Sequence, residues 1–98
     1  MKIQTTKEGN TLTINLEGRL DTGTAPELEQ ELDATLDGIE ELYMNFEQLD
    51  YVSSAGLRVL LAAQKRMNKQ GSMVLRNVDD NIMEVFEMTG FIDILTVE

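Results

Sequence analysis

Residues 49–61 read Leu49-Asp50-Tyr51-Val52-Ser53-Ser54-Ala55-Gly56-Leu57-Arg58-Val59-Leu60-Leu61 and lead from a strand into a helix. The strand is predicted at residues 42–46, which are apolar on both sides except for Asn45, as expected of a central strand. The helix is predicted from the apolar stripe that begins at Gly56 and recurs every three to four residues until Gly71 ends it. The two serines therefore lie at the carboxyl edge of the sheet, where α/β proteins commonly place their ligands.

A hairpin is predicted before this junction. Residues 3–6 and 11–16 have strand character, and the second segment alternates apolar and polar side chains. Residues 8–10 supply the turn between them, so the pair is predicted to be antiparallel with one face in water. Residues 18–23 are then predicted to form a loop.

A first helix is predicted to start at residues 24–27. Thr24 and Glu27 have the spacing of a capping box, and Pro26 is tolerated in the first turn because N–H groups there lack helical partners. Leucines recur every four residues along one face, and the helix is predicted to end at Asp37-Gly38.

Beyond the junction helix, the sequence predicts a strand at residues 73–76 and a short helix from Asp79 or Asp80 to Met88. Residues 92–97 suggest a last short strand or an extended tail. The predicted fold is α/β in the order ββαβαβα(β), a mixed sheet of four to five strands with three main helices. Residues 1–98 are predicted to form one domain, because 98 residues can bury a single core.

Composition excludes several classes of function. The formal net charge of -10 argues against nucleic acid as a partner, since phosphate backbones are bound by clustered Lys and Arg. It is compatible with a basic protein surface as a partner. Neither cysteine nor histidine is present, so no disulfide, thiolate nucleophile or ordinary zinc site can form, and no cofactor is predicted. No stretch resembles a signal peptide or a membrane span, so we expect a cytoplasmic protein.

An enzyme is not predicted. No glycine-rich phosphate loop follows any strand, which argues against a nucleotide-binding site. Ser53 and Ser54 are candidate nucleophiles, but a Ser-His-Asp triad cannot be built without histidine.

Ser53 and Ser54 allow two readings. Serine is a preferred N-cap, so either hydroxyl could simply satisfy an unpaired N–H of the helix. The same position also suits a phosphate, because first-turn N–H groups and the helix dipole stabilise an anion. Arg58 follows Ser54 by one helical turn and could pair with a phosphate there, or could be an ordinary exposed arginine.

The sequence resembles the STAS-domain anti-anti-sigma factors in three stretches. Residues 49–61 are similar to the signature of that family. Gly18-Arg19-Leu20-Asp21 resembles its Gly-x-Leu-Asp motif, and residues 86–91, Phe-Glu-Met-Thr-Gly-Phe, resemble its motif near the C-terminus. The three stretches together span most of the chain. The family usually has Asp-Ser-[Ser/Thr]-Gly-Leu in the signature, whereas this chain has Ser53 at the aspartate position and Ala55 at the third.

The resemblance implies a phosphorylation-controlled binding protein. Members bind an anti-sigma factor that is also a serine kinase and so free a sigma factor; a PP2C-type phosphatase restores the binding form. The implied phosphoacceptor is Ser54, with Ser53 as a lesser competitor. The implied partner surface consists of Asp21, Thr22, Ser53, Ser54, Ala55, Gly56, Leu57 and Arg58. A monomer is the simplest expectation, and the alternative function is a constitutive STAS scaffold or accessory subunit of a signalling or transport complex.

Overall fold

A four-stranded mixed sheet is the frame on which the helices pack. The computed structural model describes residues 1–98. The strands are β1 Lys2–Glu8, β2 Thr11–Leu20, β3 Glu41–Val52 and β4 Ser72–Arg76. The helices are α1 Ala25–Thr35, α2 Ser54–Gln70, α3 Asp80–Thr89 and a short 3₁₀ helix, Phe91–Asp93. The predicted order ββαβαβα is confirmed.

The strands lie in the order β1-β2-β3-β4. β1 and β2 are antiparallel and are joined by a two-residue turn, Gly9-Asn10, in which Gly9 has a φ of 60°. β2, β3 and β4 are parallel neighbours joined through α1 and α2, since parallel strands require a crossover. The predicted hairpin, the mixed sheet and the interior position of β3 are therefore confirmed.

β2 and β3 both extend beyond their predicted ends. Residues 18–20 were expected in a loop but belong to β2, and residues 47–52 continue β3. The two strands stay paired as far as Leu20 and Val52, although the register shifts twice, once on each side of Gly18. The expectation of a loop at residues 18–20 was wrong because Gly18 stays in the ladder opposite Leu49, and the extra residue of the bulge beside it is Asp50 of β3.

A fifth strand does not form. The tail makes a single bridge between Leu75 and Val97, beside the outer edge of β4. The Leu75 N–H donates to the Thr96 carbonyl at 2.9 Å, and the Glu98 N–H donates to the Leu75 carbonyl at 2.9 Å. The 3₁₀ helix uses residues 91–93, and the N–H groups of Ile94 and Leu95 still donate to the Phe91 carbonyl, so only the last three residues lie along β4.

The start of α1 is stabilised differently from the capping box that the sequence predicts. Thr24 is the N-cap, but its hydroxyl makes no capping hydrogen bond to the first turn. It instead donates to the Arg19 carbonyl at 2.7 Å and accepts from the Asp21 N–H at 2.9 Å. The capping-box prediction was wrong because the Thr24 hydroxyl forms its hydrogen bonds with Arg19 and Asp21, which precede the helix. The helix also ends at Thr35, before the predicted Asp37-Gly38.

One face of the sheet holds the core. The buried apolar side chains form a single cluster of 24 residues drawn from the strands and the helices. In β2, Leu12, Ile14 and Leu16 are buried while their neighbours in sequence are partly or fully exposed, the alternation expected of a half-buried strand. Because β2 and β3 are parallel and stay paired to their ends, the segments that follow these two strands start side by side.

Candidate functional site

The carboxyl ends of β2 and β3 bring two distant segments together. Leu20 and Val52 are paired neighbours at the ends of these strands. The Ser53 N–H then donates to the Leu20 carbonyl at 2.8 Å, which extends the contact one residue past the sheet. The loop that begins at Asp21 and the helix that begins at Ser54 are therefore adjacent.

Ser53 is the N-cap of α2. Its backbone is extended, with φ -90° and ψ 176°, and its side-chain oxygen accepts a hydrogen bond from the Gly56 N–H at 3.3 Å. The Ser53 carbonyl accepts the first helical hydrogen bond, from the Leu57 N–H, at 2.9 Å. The hydroxyl oxygen of Ser53 is thus used to satisfy an N–H that the helix leaves unpaired.

Ser54 is the first residue of α2 and is exposed. Its hydroxyl makes no hydrogen bond within the chain, and no acidic residue lies in the first turn of the helix. Arg58, one turn further along, is also exposed and makes no ion pair. The start of α2 thus offers solvent a free hydroxyl, the positive end of a helix dipole and a free guanidinium group.

Gly56 and Leu57 differ from the other residues of the implied partner surface because both are buried. A Cβ placed on Gly56 would lie 2.7 Å from the Leu20 Cγ and 3.0 Å from the Leu20 carbonyl oxygen. Leu57 belongs to the hydrophobic core. These two residues hold the start of α2 against the sheet, whereas Ser54 and Arg58 face solvent and Ala55 is half-buried.

Asp21 organises the loop between β2 and α1. Its carboxylate accepts hydrogen bonds from the Gly23 N–H at 3.0 Å and the Thr24 N–H at 3.1 Å. The pKa of Asp21 lies below its ordinary value, chiefly because its carboxylate accepts a hydrogen bond from the Thr24 N–H. Partial desolvation raises the pKa, but the Thr24 hydroxyl, the Gly23 N–H and the charge of Arg19 also lower it. The Asp21 side chain thus carries a stable negative charge while it shapes the loop, and Thr22 is exposed beside it.

Arg19 and Tyr51 add a pair that sequence reasoning did not include in the site. They are register partners at the ends of β2 and β3, and the guanidinium carbon lies 4.4 Å from the centroid of the Tyr51 ring. The Arg19 Nε lies 3.7 Å from an Asp21 carboxylate oxygen. Tyr51 remains 41% exposed. The signal for this pair lies in the strand register, which the sequence alone did not reveal.

A shallow cavity of about 240 Å³ lies between the loop, α1 and α2. Its lining is Thr22, Ala25, Pro26, Glu29, Ala55, Arg58 and Val59. An apolar groove of about 100 Å³ continues from it along α1 and α2, since Glu29 and Val59 border both. The implied partner residues Thr22, Ala55 and Arg58 therefore share one concave surface, with Ser54 at the start of the same helix.

No three side chains among His, Cys, Asp and Glu are grouped so that they could bind a metal ion. No helix is both long and apolar enough to cross a bilayer. The chemical features on this surface are the free hydroxyl, the exposed charges of both signs and the concave apolar lining, which suit protein recognition.

Comparison with known proteins identifies the family. Residues 2–98 match the family model described as the STAS domain. This chain belongs to the STAS-domain family. The match spans nearly the whole sequence, so the STAS domain includes the loop at Asp21, the serine pair and the C-terminal helix.

Relatives of this STAS domain are named as anti-sigma factor antagonists. The candidate anti-sigma factor antagonist BtrV of Bordetella bronchiseptica is 38% identical over 99% of this chain and 85% of its own length. The anti-sigma-B factor antagonist of Staphylococcus aureus is 32% identical over 99% of this chain and 92% of its own length.

Solved structures have the same fold. The anti-sigma factor antagonist SpoIIAA in its unphosphorylated form has a TM-score of 0.77 and 19% identity, covering 99% of this chain and 87% of its own. The phosphorylated form of SpoIIAA from Bacillus also has a TM-score of 0.77, with 20% identity, covering 99% of this chain and 91% of its own. These likenesses establish the STAS fold for the four-stranded sheet and its helices.

Proposed function

We propose that this STAS domain is an anti-sigma factor antagonist whose binding is controlled by phosphorylation of Ser54. The observation that carries the proposal is that the two serine hydroxyls differ in their hydrogen bonding and exposure. The Ser53 hydroxyl is engaged as the cap of α2, and the Ser54 hydroxyl is exposed and without a hydrogen-bond partner. The naming of relatives at 32–38% identity as anti-sigma factor antagonists supports the same function.

The partner in this proposal is an anti-sigma factor that is also a serine kinase. It docks on the surface formed by Asp21, Thr22, Ser54, Ala55 and Arg58, and its binding frees a sigma factor. The acidic balance of the chain, a net charge of -10, favours encounter with a basic protein surface. The domain acts by binding and not by catalysis, and it works in the cytoplasm, where the transcription machinery is located.

Phosphorylation of Ser54 changes this surface while the fold is kept. A phosphoryl group adds roughly −1.5 to −2 charges at neutral pH. The N–H groups and the dipole at the start of α2 stabilise that charge, so the helix is not disrupted. Docking is disrupted instead, because the added charge and bulk occupy the surface that the anti-sigma factor contacts. A PP2C-type phosphatase then restores the binding form.

Phosphorylation by an anti-sigma factor kinase encoded near this gene, followed by mass spectrometry, tests the acceptor. The matched variants are Ser54→Ala, which lacks the proposed acceptor, and Ser53→Asp, which keeps a capping oxygen but removes the competing hydroxyl. We expect one phosphate on the wild type and on Ser53→Asp, and none on Ser54→Ala. A phosphate that persists in Ser54→Ala would assign the acceptor elsewhere.

Partner affinity separates a switch from a constitutive scaffold. We expect the chain phosphorylated at Ser54 to lose most of its affinity for the anti-sigma factor, measured by calorimetry. Ser54→Ala serves as the control and should bind as the unphosphorylated wild type does, because it adds no charge. Equal affinity of the phosphorylated and unphosphorylated chains would support the scaffold instead.

A further inference from the structure

The two edges of the sheet differ in their protection. The outer edge of β4 is covered by the tail, through the hydrogen bonds of Leu75 with Thr96 and Glu98 and an Arg76–Glu98 ion pair of 3.3 Å. β1, at the opposite edge, has no strand beside it and is exposed along six of its seven residues. An unpaired edge presents a row of N–H and C=O groups to another strand. With one open edge, this sheet can join one further copy.

The hairpin turn fixes which backbone groups of β1 point outward. Glu8 and Thr11 flank the two-residue turn Gly9-Asn10 and are register partners, so they form the hydrogen-bonded pair that closes the hairpin. Hydrogen-bonded and non-hydrogen-bonded pairs alternate along an antiparallel ladder. The residues that direct their backbone groups away from β2 are therefore Ile3, Thr5 and Lys7.

We propose that β1 pairs with β1 of a second copy of this chain, antiparallel and centred on Thr5. In this register Thr5 faces its own counterpart and Ile3 faces Lys7, the positions whose backbone groups point outward. Lys2 faces Glu8 at both ends of the contact. Among the registers that place outward-pointing residues opposite each other, this is the one that pairs all seven residues of the strand.

Charge complementarity selects the same register. Lys2 and Glu8 are exposed and form no ion pair within the chain. In the proposed register they occupy non-hydrogen-bonded positions, where side chains of opposing strands come closest and opposite charges stabilise the sheet. A shift of two residues in either direction removes both Lys2–Glu8 pairs. The ends of the strand thus specify how two copies align.

The contact is isologous and weak. A two-fold axis through Thr5 uses the same surface of both copies, the commonest arrangement in homodimers. One seven-residue edge buries less than the roughly 1,200 Å² at which stable interfaces begin, so the dimer forms only at high concentration. Ser54 follows β3, which β2 separates from β1, so pairing leaves the candidate site uncovered and the inference does not depend on the proposed function.

Sedimentation velocity over a wide range of protein concentration tests the pairing of β1 strands. The variants exchange the charges of Lys2 and Glu8. We expect the weight-average mass of the wild type to rise from 11.0 kDa toward twice that value. Lys2→Glu and Glu8→Lys each place like charges together and should remain at 11.0 kDa, whereas the double variant restores opposite charges and should associate again. Lys7→Glu changes the net charge as Lys2→Glu does but faces Ile3, so it should behave as the wild type.

A backbone variant tests the contact independently of charge. Thr5→Pro removes an N–H that points outward and leaves the β1–β2 hydrogen bonds in place, a substitution that edge strands tolerate. We expect it to stay monomeric with a wild-type circular dichroism spectrum. A wild-type mass of 11.0 kDa at every concentration, the monomer that the sequence suggested, would overturn the proposal. Failure of the double charge variant to associate would overturn the register.

Discussion

Gly56 and Leu20 are in contact so close that no side chain fits between them. A Cβ on Gly56 would lie 2.7 Å from the Leu20 Cγ, 3.1 Å from its Cδ2 and 3.0 Å from its carbonyl oxygen. The first turn of α2 therefore rests directly on the end of β2. This contact, together with the hydrogen bond from the Ser53 N–H to the same Leu20 carbonyl, holds Ser54 beside the loop at Asp21.

Substitution of Gly56 by alanine should destabilise the domain. The added methyl group overlaps a carbonyl oxygen as well as a buried side chain, so the helix start must shift away from β2. We expect a loss of about 1–3 kcal/mol in the free energy of unfolding, measured with urea. Gly23→Ala is the matched control, because the nearest atom to its Cβ is an Asp21 carboxylate oxygen at 3.5 Å, an ordinary contact. Equal stability of the two variants would contradict the close packing of Gly56.

Gly71 should tolerate alanine even less. A Cβ there would lie 1.8 Å from the Glu40 carbonyl oxygen and 2.6 Å from its carbon. The same carbonyl accepts a hydrogen bond from the Ser72 N–H at 2.9 Å, so moving it away weakens the start of β4. We expect Gly71→Ala to unfold at a lower urea concentration than Gly56→Ala. The reverse order would show that the junction of α2 and β4 yields more easily than the junction at Ser53.

Alanine substitution of the two serines should affect the stability of the domain differently. Ser53→Ala removes the acceptor of the Gly56 N–H and should cost about 1 kcal/mol of unfolding free energy, the usual loss for an N-cap. Ser54→Ala should change stability by no more than about 0.5 kcal/mol, since its hydroxyl has no partner and is exposed. Thermal and urea unfolding of both variants measure this difference. A larger loss for Ser54→Ala would mean that Ser54 supplies the cap.

Asp21 should contribute stability that disappears in acid. Its pKa is lowered in the folded state, chiefly by the Thr24 N–H, so the folded state favours the charged carboxylate. A lowered folded pKa gives stability that is complete above the unfolded pKa, near 3.8, and is lost as the pH falls through the folded value.

Measurement of Asp21 by NMR titration should give a pKa below 3.8. Asp21→Asn should be less stable than the wild type at neutral pH, and the difference should shrink as the pH falls from 3.8 through the native pKa. Asp50→Asn provides a control, because Asp50 is exposed in β3 and its side chain makes no hydrogen bond or ion pair. A stability difference between Asp21→Asn and the wild type that stays constant with pH would contradict this role.

Local patterns predicted most of the fold. The period of apolar residues gave the order of strands and helices, and Asp79 caps α3 through a 2.8 Å hydrogen bond from the Ile82 N–H, one of the two caps proposed. Predictions failed where a group outside the element bonds to one of its residues. Thr24 has the spacing of a capping box, but its hydroxyl donates a hydrogen bond to the Arg19 carbonyl instead of capping the helix. Gly18 looks like a loop residue, but pairing with β3 carries the strand past it.

The sequence by itself determined that a strand leads into a helix at Ser53-Ser54, because serine at a helix start and an apolar stripe are local signals. It also carried the family resemblance that the comparisons confirmed. Only the tertiary structure decided which serine is the cap and which hydroxyl is free. It also decided that Gly56 and Leu57 are buried supports and that Arg19 and Tyr51 join the surface. The contact of Gly56 with Leu20 and the pairing of Arg19 with Tyr51 depend on the register of β2 against β3, a pairing between segments far apart in the chain that no local pattern encodes.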